Sequence, residues 1–156
     1  MAQVEINRLA RGEIRFGGMS SMLTQATEAM NSHDARRVAS LFAEDYRSVQ
    51  PVHPGRGFGG SAQVLENWTE VFEGVPDFVA ELLDVSITGA TEWGEWSWHG
   101  AHPDGSAFAM RGVIILTVRD DLISDARLYM EPVDATGEDI GAAVRELYKA
   151  PDPSSQ

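Results

Sequence analysis

The sequence predicts an α+β fold in which a curved antiparallel sheet is packed on one face by helices. Two observations carry this prediction. Apolar residues recur at helical spacing in the first half of the chain and again near its end. Between these parts, the stretch 78–131 contains four strand-like segments joined by short turns. Because neighbouring strands joined by short turns run antiparallel, the four segments predict a meander.

Two helices are predicted before the first strand. Helical spacing begins near Ser20 and runs to about Met30, with Ser20 or Ser21 available as the N-cap. Asp34 can cap a second helix, whose apolar positions extend through Phe42. The polar segment 31–34 separates the two. The chain therefore predicts a helical pair ahead of the sheet.

A short strand is predicted around residues 46–50, and the Pro- and Gly-rich loop 51–60 ends it. A third helix begins at Ser61, and its apolar face comprises Val64, Leu65, Trp68, Val71 and Phe72. The four strands of the meander follow at 78–87, 91–100, 106–118 and 122–131. The strand around residues 46–50 is therefore separated from the meander by the third helix.

The segment 136–150 predicts a terminal helix, followed by a polar tail over 151–156. Its apolar residues share one helical face, at Ile140, Ala143, Val144, Leu147 and Tyr148. We expect this helix to cover either the interior of the fold or a neighbouring subunit. Residues 1–18 predict an N-terminal arm that is either loose or packed on a partner subunit.

Composition excludes several classes of function. The chain of 156 residues has 12 basic and 24 acidic residues, giving a net charge of −12. Such a surface repels phosphate backbones, so we expect no nucleic-acid partner. The absence of cysteine excludes disulfides and thiolate chemistry. No apolar run is long enough to predict a membrane span or a secretory signal. We therefore expect a cytoplasmic protein.

Four stretches resemble the nuclear transport factor two-like superfamily and, within it, the SnoaL-like polyketide cyclases. They lie at 31–46, 59–77, 99–105 and 127–131. The resemblance covers roughly residues 20–135 and implies a cone-shaped sheet whose helices close an internal pocket for an apolar ligand. It divides the chain into an arm (1–18), a SnoaL-like domain (19–135), a C-terminal helix (136–150) and a tail (151–156).

This chain does not have the full set of catalytic residues of two enzyme groups in that superfamily. The positions matching those of ketosteroid isomerase hold Ala26, Gln50 and Ile114, and those matching limonene epoxide hydrolase hold Glu95, Ser97 and Glu131. The resemblance therefore favours a SnoaL-like cyclase or isomerase that performs acid–base chemistry on a hydrophobic polyketide- or terpenoid-like molecule without metal or organic cofactor. The alternative is a non-catalytic module that binds a small ligand or a protein.

Strand alternation, combined with the resemblance, selects candidate residues. Glu95, His99 and Glu131 are the predicted acid–base groups. The predicted ligand-binding residues are Gln50, His53, Trp68, Trp93, Ser97, Phe108, Met110 and Tyr129. Trp96 and Trp98 then fall on the outer face of the sheet, where relatives dimerise. We therefore expect a homodimer that binds a hydrophobic small molecule.

Purely structural roles for the same residues are also compatible with the sequence. His99 is a structural histidine or a catalytic one, and Glu131 is either an acid–base group or the ion-pair partner of an arginine such as Arg127. A zinc site formed by His99, His102 and Asp104 is disfavoured because a turn intervenes. The segment GRGFGG (55–60) follows no buried strand of a βαβ unit, so we expect a loop over the pocket and no phosphate site.

Overall fold

The computed structural model describes residues 15–16 and 19–155 of the chain. Most of the predicted arm therefore lies outside the described residues. The helices are α1 (Met22–Asn31), α2 (Ala35–Ala39), α3 (Ser61–Gly74) and α4 (Ile140–Leu147). The strands are β1 (Arg15–Phe16), β2 (Met19–Ser20), β3 (Phe42–Val49), β4 (Phe58–Gly59), β5 (Val79–Thr88), β6 (Thr91–Ala101), β7 (Ala107–Arg119) and β8 (Leu122–Pro132). Short 3₁₀ turns occur at Pro54–Arg56 and Pro153–Ser155.

Six strands form one curved, unclosed sheet in the order β4-β3-β8-β7-β6-β5. Strands β5 to β8 form the predicted antiparallel meander. Strand β3 joins it by pairing parallel to β8, with Ser48 opposite Ala126. The α+β prediction is thus confirmed, with one parallel pair that short-turn reasoning does not reveal.

A glycine allows two strands of the meander to approach closely. A Cβ atom at Gly112 of β7 would collide with the backbone carbonyl oxygen of Tyr129 on β8. Gly112 also pairs with Trp96 on the other side. A side chain here would push the two strands apart, so this position requires glycine.

Helix caps follow the sequence prediction, but the second helix is shorter than expected. Ser21 caps α1 by accepting from Thr24 N, and Asp34 caps α2 by accepting from the amides of Arg36 and Arg37. The helix ends at Ala39, because Leu41 O accepts a hydrogen bond from Ile123 N at 2.8 Å. The pairing of β3 with β8 therefore overrides the helical periodicity through Phe42.

The core lies between the helices and the concave face of the sheet. On β6 the side chains facing the core are those of Trp96 and Trp98, which are 1% and 9% exposed. Trp93, on the opposite face, is 47% exposed. The predicted orientation of this strand is therefore wrong: Trp93, Glu95, Ser97 and His99 face outward. Burying two indole rings releases far more apolar surface from water than burying polar side chains does.

The same inversion occurs on β8. Ala126 and Met130 are buried at 3% and 4% exposure, whereas Tyr129 is 39% exposed. Tyr129 and Glu131 therefore face outward, contrary to prediction. On β7 the predicted orientation is confirmed, because Phe108, Met110 and Ile114 belong to the core or pack against it.

Helix α4 begins where Asp139 accepts a hydrogen bond from Ala142 N at 2.9 Å. Its apolar residues remain exposed, with Ile140, Leu147 and Tyr148 at 81%, 76% and 84%. No described residue of this helix lines the cavity between α1, α3 and the sheet that is described below. Among the described residues, no helix combines the length and apolarity needed to cross a bilayer.

Candidate ligand-binding site

A cavity of about 240 Å³ lies between helices α1 and α3 and the concave face of the sheet. Its walls are mainly apolar and come from helices α1 and α3 and from the five strands β3, β4, β6, β7 and β8. The lining residues are Ala26, Met30, Phe42, Tyr46, Ser48, Gln50, Phe58, Val64, Asn67, Trp68, Val71, Trp96, Trp98, Ile114, Leu116, Ile123, Ala126 and Leu128. The fold thus leaves a space at the place where the resemblance implies a pocket.

Aromatic rings form one wall of the cavity. The Trp68 ring centroid lies 5.6 Å from that of Trp98, at an interplanar angle of 73°. Phe78 supports both indoles from behind, at 5.4 Å and 5.8 Å. Such edge-to-face arrangements fix the rings in place. The wall is therefore a closely packed aromatic surface.

Strand β3 supplies a polar row to the opposite wall. Tyr46, Ser48 and Gln50 follow at every second position, so they share the inner face of the sheet. Burial raises the pKa of Tyr46 to about 12; the adjacent Ser48 hydroxyl opposes this shift, and the charge of Asp125 adds to it. The phenol is therefore a protonated hydrogen-bond donor at neutral pH.

The loop after β3 borders the cavity at Gln50. The amide of His53 donates to Gln50 O at 2.8 Å, and Arg56 Nη1 donates to Gln50 Oε1 at 3.3 Å. His53 Nε2 lies 2.6 Å from Glu131 Oε1. His53 on this loop thus pairs with Glu131 of β8, and neither residue lines the cavity. The sequence predicts both as site residues but does not predict that they meet.

The other two predicted acid–base groups lie on the outer face of the sheet. Glu95 Oε1 is 3.6 Å from Arg111 Nη2, and His99 Nε2 is 3.4 Å from Glu81 Oε1. Both pairs are largely exposed. The prediction that Glu95 and His99 line the cavity is therefore wrong, and their catalytic roles remain untested predictions.

Of the predicted ligand-binding residues, Gln50 and Trp68 line the cavity. Phe108 and Met110 face the same side of the sheet but pack in the adjoining core. Trp93, Ser97 and Tyr129 lie on the outer face, so the prediction that they line the pocket is wrong. His102, which sequence analysis considers only for a disfavoured zinc site, donates from Nδ1 to Gly74 O at 2.9 Å.

Sequence reasoning missed the residues that define the cavity: Tyr46, Ser48, Asn67, Trp96 and Trp98. Two signals were available. The alternation Tyr46, Ser48, Gln50 marks one face of β3, and on β6 the more apolar alternate set contains the two tryptophans. On β6 the resemblance and the hydrophobic pattern favour opposite faces, and the structure follows the hydrophobic pattern.

The lining chemistry is neutral. Among the described residues that line the cavity there is no carboxylate, imidazole, lysine or arginine. Nor do three His, Asp or Glu side chains gather as metal ligands anywhere in the part of the chain that the structure describes. The arrangement can hold an uncharged molecule and donate hydrogen bonds to it from Tyr46, Ser48 and the side-chain amides of Gln50 and Asn67.

The sequence matches the family model of the SnoaL-like domain over residues 23–126, about two thirds of the chain. The chain therefore belongs to the SnoaL-like domain family. A search among curated proteins found no significant match.

Solved structures confirm the fold at low sequence identity. A proposed SnoaL-like polyketide cyclase from Shewanella denitrificans is 15% identical, with a TM-score of 0.61 over 70% of this chain and 88% of that one. A proposed ketosteroid isomerase from Kribbella flavida is 21% identical, with a TM-score of 0.59 over 86% and 89%. An NTF2-like protein of unknown function from an Exiguobacterium species is 21% identical, with a TM-score of 0.60 over 74% and 100%.

Proposed function

We propose that this protein binds an uncharged, largely hydrophobic small molecule in the cavity between α1, α3 and the sheet. The observation that carries this proposal is the lining, which combines a closely packed aromatic wall with neutral polar groups and lacks any ionisable group other than Tyr46. Ligand sites are typically apolar cavities with a few polar groups that fix orientation. A charged ligand would lose its hydration here without gaining a counter-charge.

The cavity volume limits the size of the ligand. At about 240 Å³ it is slightly below the range of roughly 300–1,000 Å³ that holds drug-sized ligands. The volume favours a molecule of one or two rings, on the scale of a small terpenoid or an early polyketide ring, over a tetracyclic product.

Tryptophan fluorescence tests this proposal directly. Of the four tryptophans, Trp68, Trp96 and Trp98 line the cavity, and Trp93 is exposed. In a Trp93→Phe variant, all remaining indole emission comes from the cavity. We expect the neutral bicyclic ketone 2-decalone to produce a saturable change in that emission.

Filling the cavity provides the control. Ala126 lines it, and Ala126→Leu should weaken binding by about tenfold, the equivalent of about 1.4 kcal/mol of lost contact. Ala109→Leu makes the same change at an exposed position on β7 and should leave affinity unchanged. If 2-decalone gives no saturable signal, or if both leucine variants bind like the parent, the proposal fails.

A second candidate function is the cyclase or isomerase activity of SnoaL-like proteins. Two features favour it. Tyr46 is protonated and can donate to a carbonyl oxygen. His53, which pairs with Glu131 of β8, lies three residues after the cavity residue Gln50. In an aldol ring closure, a base removes a proton from a carbon next to a carbonyl, that carbon bonds to a second carbonyl carbon, and the new alkoxide takes up a proton. Holding both reacting ends of the open-chain substrate in one cavity contributes much of the rate enhancement.

The test of this second candidate is the mass-neutral conversion of an open-chain diketone such as 2,6-heptanedione to its cyclic hydroxyketone. We expect Glu131→Gln to lower the turnover number by about tenfold to a hundredfold if the pair provides the base. Glu95→Gln, on the outer face, serves as the control and should leave turnover unchanged. If the unmodified protein binds the diketone but does not convert it, the cyclase proposal fails and the non-catalytic binding function stands.

A further inference from the structure

The side chain of Gln50 lies at the entrance of the cavity. Along β3, the lining residues Tyr46 and Ser48 are only 3% and 2% exposed, whereas Gln50, which follows at the end of the same row, is half-buried. Asn67 of α3 also lines the cavity, and it alone among the described lining residues is exposed. The cavity therefore opens to solvent beside these two carboxamides.

The hairpin formed by β3 and β4 explains why Arg56 reaches Gln50. Ser48 pairs with Phe58 in antiparallel register. Two residues further out on each side, the same register places Gln50 opposite Arg56, on the face that Ser48 and Phe58 already share. Two turns close the loop, because His53 N donates to Gln50 O at 2.8 Å and Arg56 N donates to His53 O at 2.9 Å. The contact between the two side chains thus follows from the register of the hairpin.

This contact fixes the orientation of the Gln50 carboxamide. Arg56 Nη1 donates to Gln50 Oε1 at 3.3 Å. A guanidinium group has donors and no acceptor, so the amide cannot exchange its two ends without placing its NH2 group against another donor. Arg56 forms no ion pair with a described carboxylate, so none competes for its guanidinium. Within the described ranges no acceptor contacts Gln50 Nε2, so its N–H donors are free.

Asn67, the other carboxamide at the entrance, has no such fixed orientation. Gln63 Nε2 lies 2.8 Å from Asn67 Oδ1, one turn away on α3. Both partners are carboxamides, so the same contact forms equally well with both groups reversed. Asn67 therefore offers the cavity either an oxygen or an NH2 group, whereas Gln50 offers only its NH2 group.

We propose that Arg56 is a positioning residue that holds the Gln50 NH2 group ready to donate a hydrogen bond to a carbonyl oxygen of the ligand. This inference rests on the proposed ligand-binding function and specifies its ligand. The apolar body of the ligand fills the cavity, and its carbonyl oxygen lies at the entrance. An amine at this end of the ligand would meet the donors of Gln50 and Arg56, so the entrance selects an acceptor.

A ketone and the hydrocarbon of the same skeleton test the carbonyl contact. The affinities of 2-decalone and decalin are measured by headspace partition for the unmodified protein and for Gln50→Met, which keeps the side-chain length but removes the N–H donors. We expect Gln50→Met to lower the affinity for the ketone about two- to tenfold, the net value of one hydrogen bond, while decalin binds as before. Asn67→Leu, at the same entrance, should leave the preference for the ketone over decalin unchanged.

A double-mutant cycle tests whether Arg56 acts through Gln50. Without the guanidinium the amide also adopts its reversed orientation, so Arg56→Met should lower the affinity for the ketone about two- to fivefold. In the Gln50→Met background the same change should have no further effect. Arg56→Lys keeps a donor without an acceptor and should restore part of the loss. Arg47→Met, at an exposed position on the opposite face of β3, is the matched control and should leave both affinities unchanged.

Three results would overturn this inference while the binding function stands. The first is an unchanged affinity for the ketone in Gln50→Met or in Arg56→Met, and the second is an equal loss for ketone and hydrocarbon. The third is a further loss on Arg56→Met in the Gln50→Met background, which would mean that Arg56 binds the ligand directly. If neither probe binds the unmodified protein, the proposed function itself is refuted.

Spectroscopy of the unmodified protein provides a readout that does not depend on the variants' stability. With ¹⁵N-labelled glutamine, 2-decalone should shift the side-chain NH2 signals of Gln50, whereas decalin should not. Gln25, whose Nε2 donates to Ser20 O at 3.1 Å away from the cavity lining, serves as the internal reference. Equal responses of the Gln50 signals to both saturating probes would contradict the proposed hydrogen bond.

Discussion

At the scale of single residues, Tyr46 has the most unusual environment among the cavity side chains. The residue is only 3% exposed, and its phenol is held between Phe42 and Phe58, with ring centroids at 4.7 Å and 5.8 Å. This apolar enclosure disfavours the phenolate and raises the pKa to about 12. The hydroxyl therefore stays a donor across the physiological pH range.

The raised pKa of Tyr46 predicts a pH-dependent loss of stability. An unfolded tyrosine ionises near pH 10, so the unfolded state gains stability from ionisation before the folded state does. The contribution is fully present below pH 10 and is lost as the pH rises toward 12, up to about 2–3 kcal/mol. Urea denaturation between pH 9 and 11.5 should show a steeper decline for the unmodified protein than for Tyr46→Phe. If the free energy of unfolding declines equally with pH in both proteins, Tyr46 does not have a raised pKa in the folded state.

At the scale of elements, helix α1 depends on a strand that is distant in sequence. The Glu92 carboxylate on β6 accepts hydrogen bonds from Met22 N at 3.2 Å and Leu23 N at 3.0 Å, while Ser21 caps Thr24 N. The first turn of α1 thus has its free amides satisfied by its own N-cap and by a buried carboxylate, which also complements the positive end of the helix. The residue is only 8% exposed, so these contacts are shielded from water.

Removing this cap should destabilise the fold. In Glu92→Ala, two buried amides lose their acceptors, and we expect the free energy of unfolding to fall by about 2–4 kcal/mol. Glu95→Ala, three residues away on the same strand, removes an exposed ion pair and should cost at most about 1 kcal/mol. Both values come from urea denaturation at pH 7. Equal costs for the two variants would show that the cap contributes little.

At the scale of the whole molecule, two apolar surfaces are exposed among the described residues. The outer sheet face exposes Trp93 and Tyr129 at 47% and 39%; in the register Trp93 lies opposite Ile115 and Tyr129 opposite Val113. Helix α4 exposes Ile140 and Leu147. Contiguous exposed apolar patches in soluble proteins commonly mark interfaces. We propose that the predicted homodimer forms through the outer sheet face, by way of Trp93 and Tyr129 rather than through Trp96 and Trp98.

Sedimentation velocity tests this assembly. We expect a dimer for the unmodified chain and a monomer for Trp93→Arg, because an arginine at the centre of the patch desolvates poorly. Binding of 2-decalone to the monomeric variant should persist, since Trp93 lies outside the cavity. Dissociation by Leu147→Arg together with an intact dimer in Trp93→Arg would place the interface on α4 and contradict this proposal.

The sequence by itself determined the order of the elements, a serine cap at position 20 or 21, the cap at Asp34, and the antiparallel meander. These features depend on local periodicity, side-chain capping and short turns, which a few neighbouring residues specify. The motifs also identified the superfamily, and with it a cavity between the helices and the sheet. Trp68 lies on the apolar face of a predicted helix, and the resemblance to ketosteroid isomerase places Gln50 at a pocket position; both line the cavity.

Only the tertiary structure decided which face of β6 and β8 points inward and where β3 pairs. A strand offers two faces at a period of two, and an error of one residue exchanges them completely. Glu95, Ser97 and His99 were placed inside on the strength of the resemblance, whereas burial of Trp96 and Trp98 fixes the strand the other way. Parallel pairing of β3 with β8 joins residues about 80 positions apart, and that long-range contact brings Tyr46 and Ser48 into the same cavity lining as Trp98.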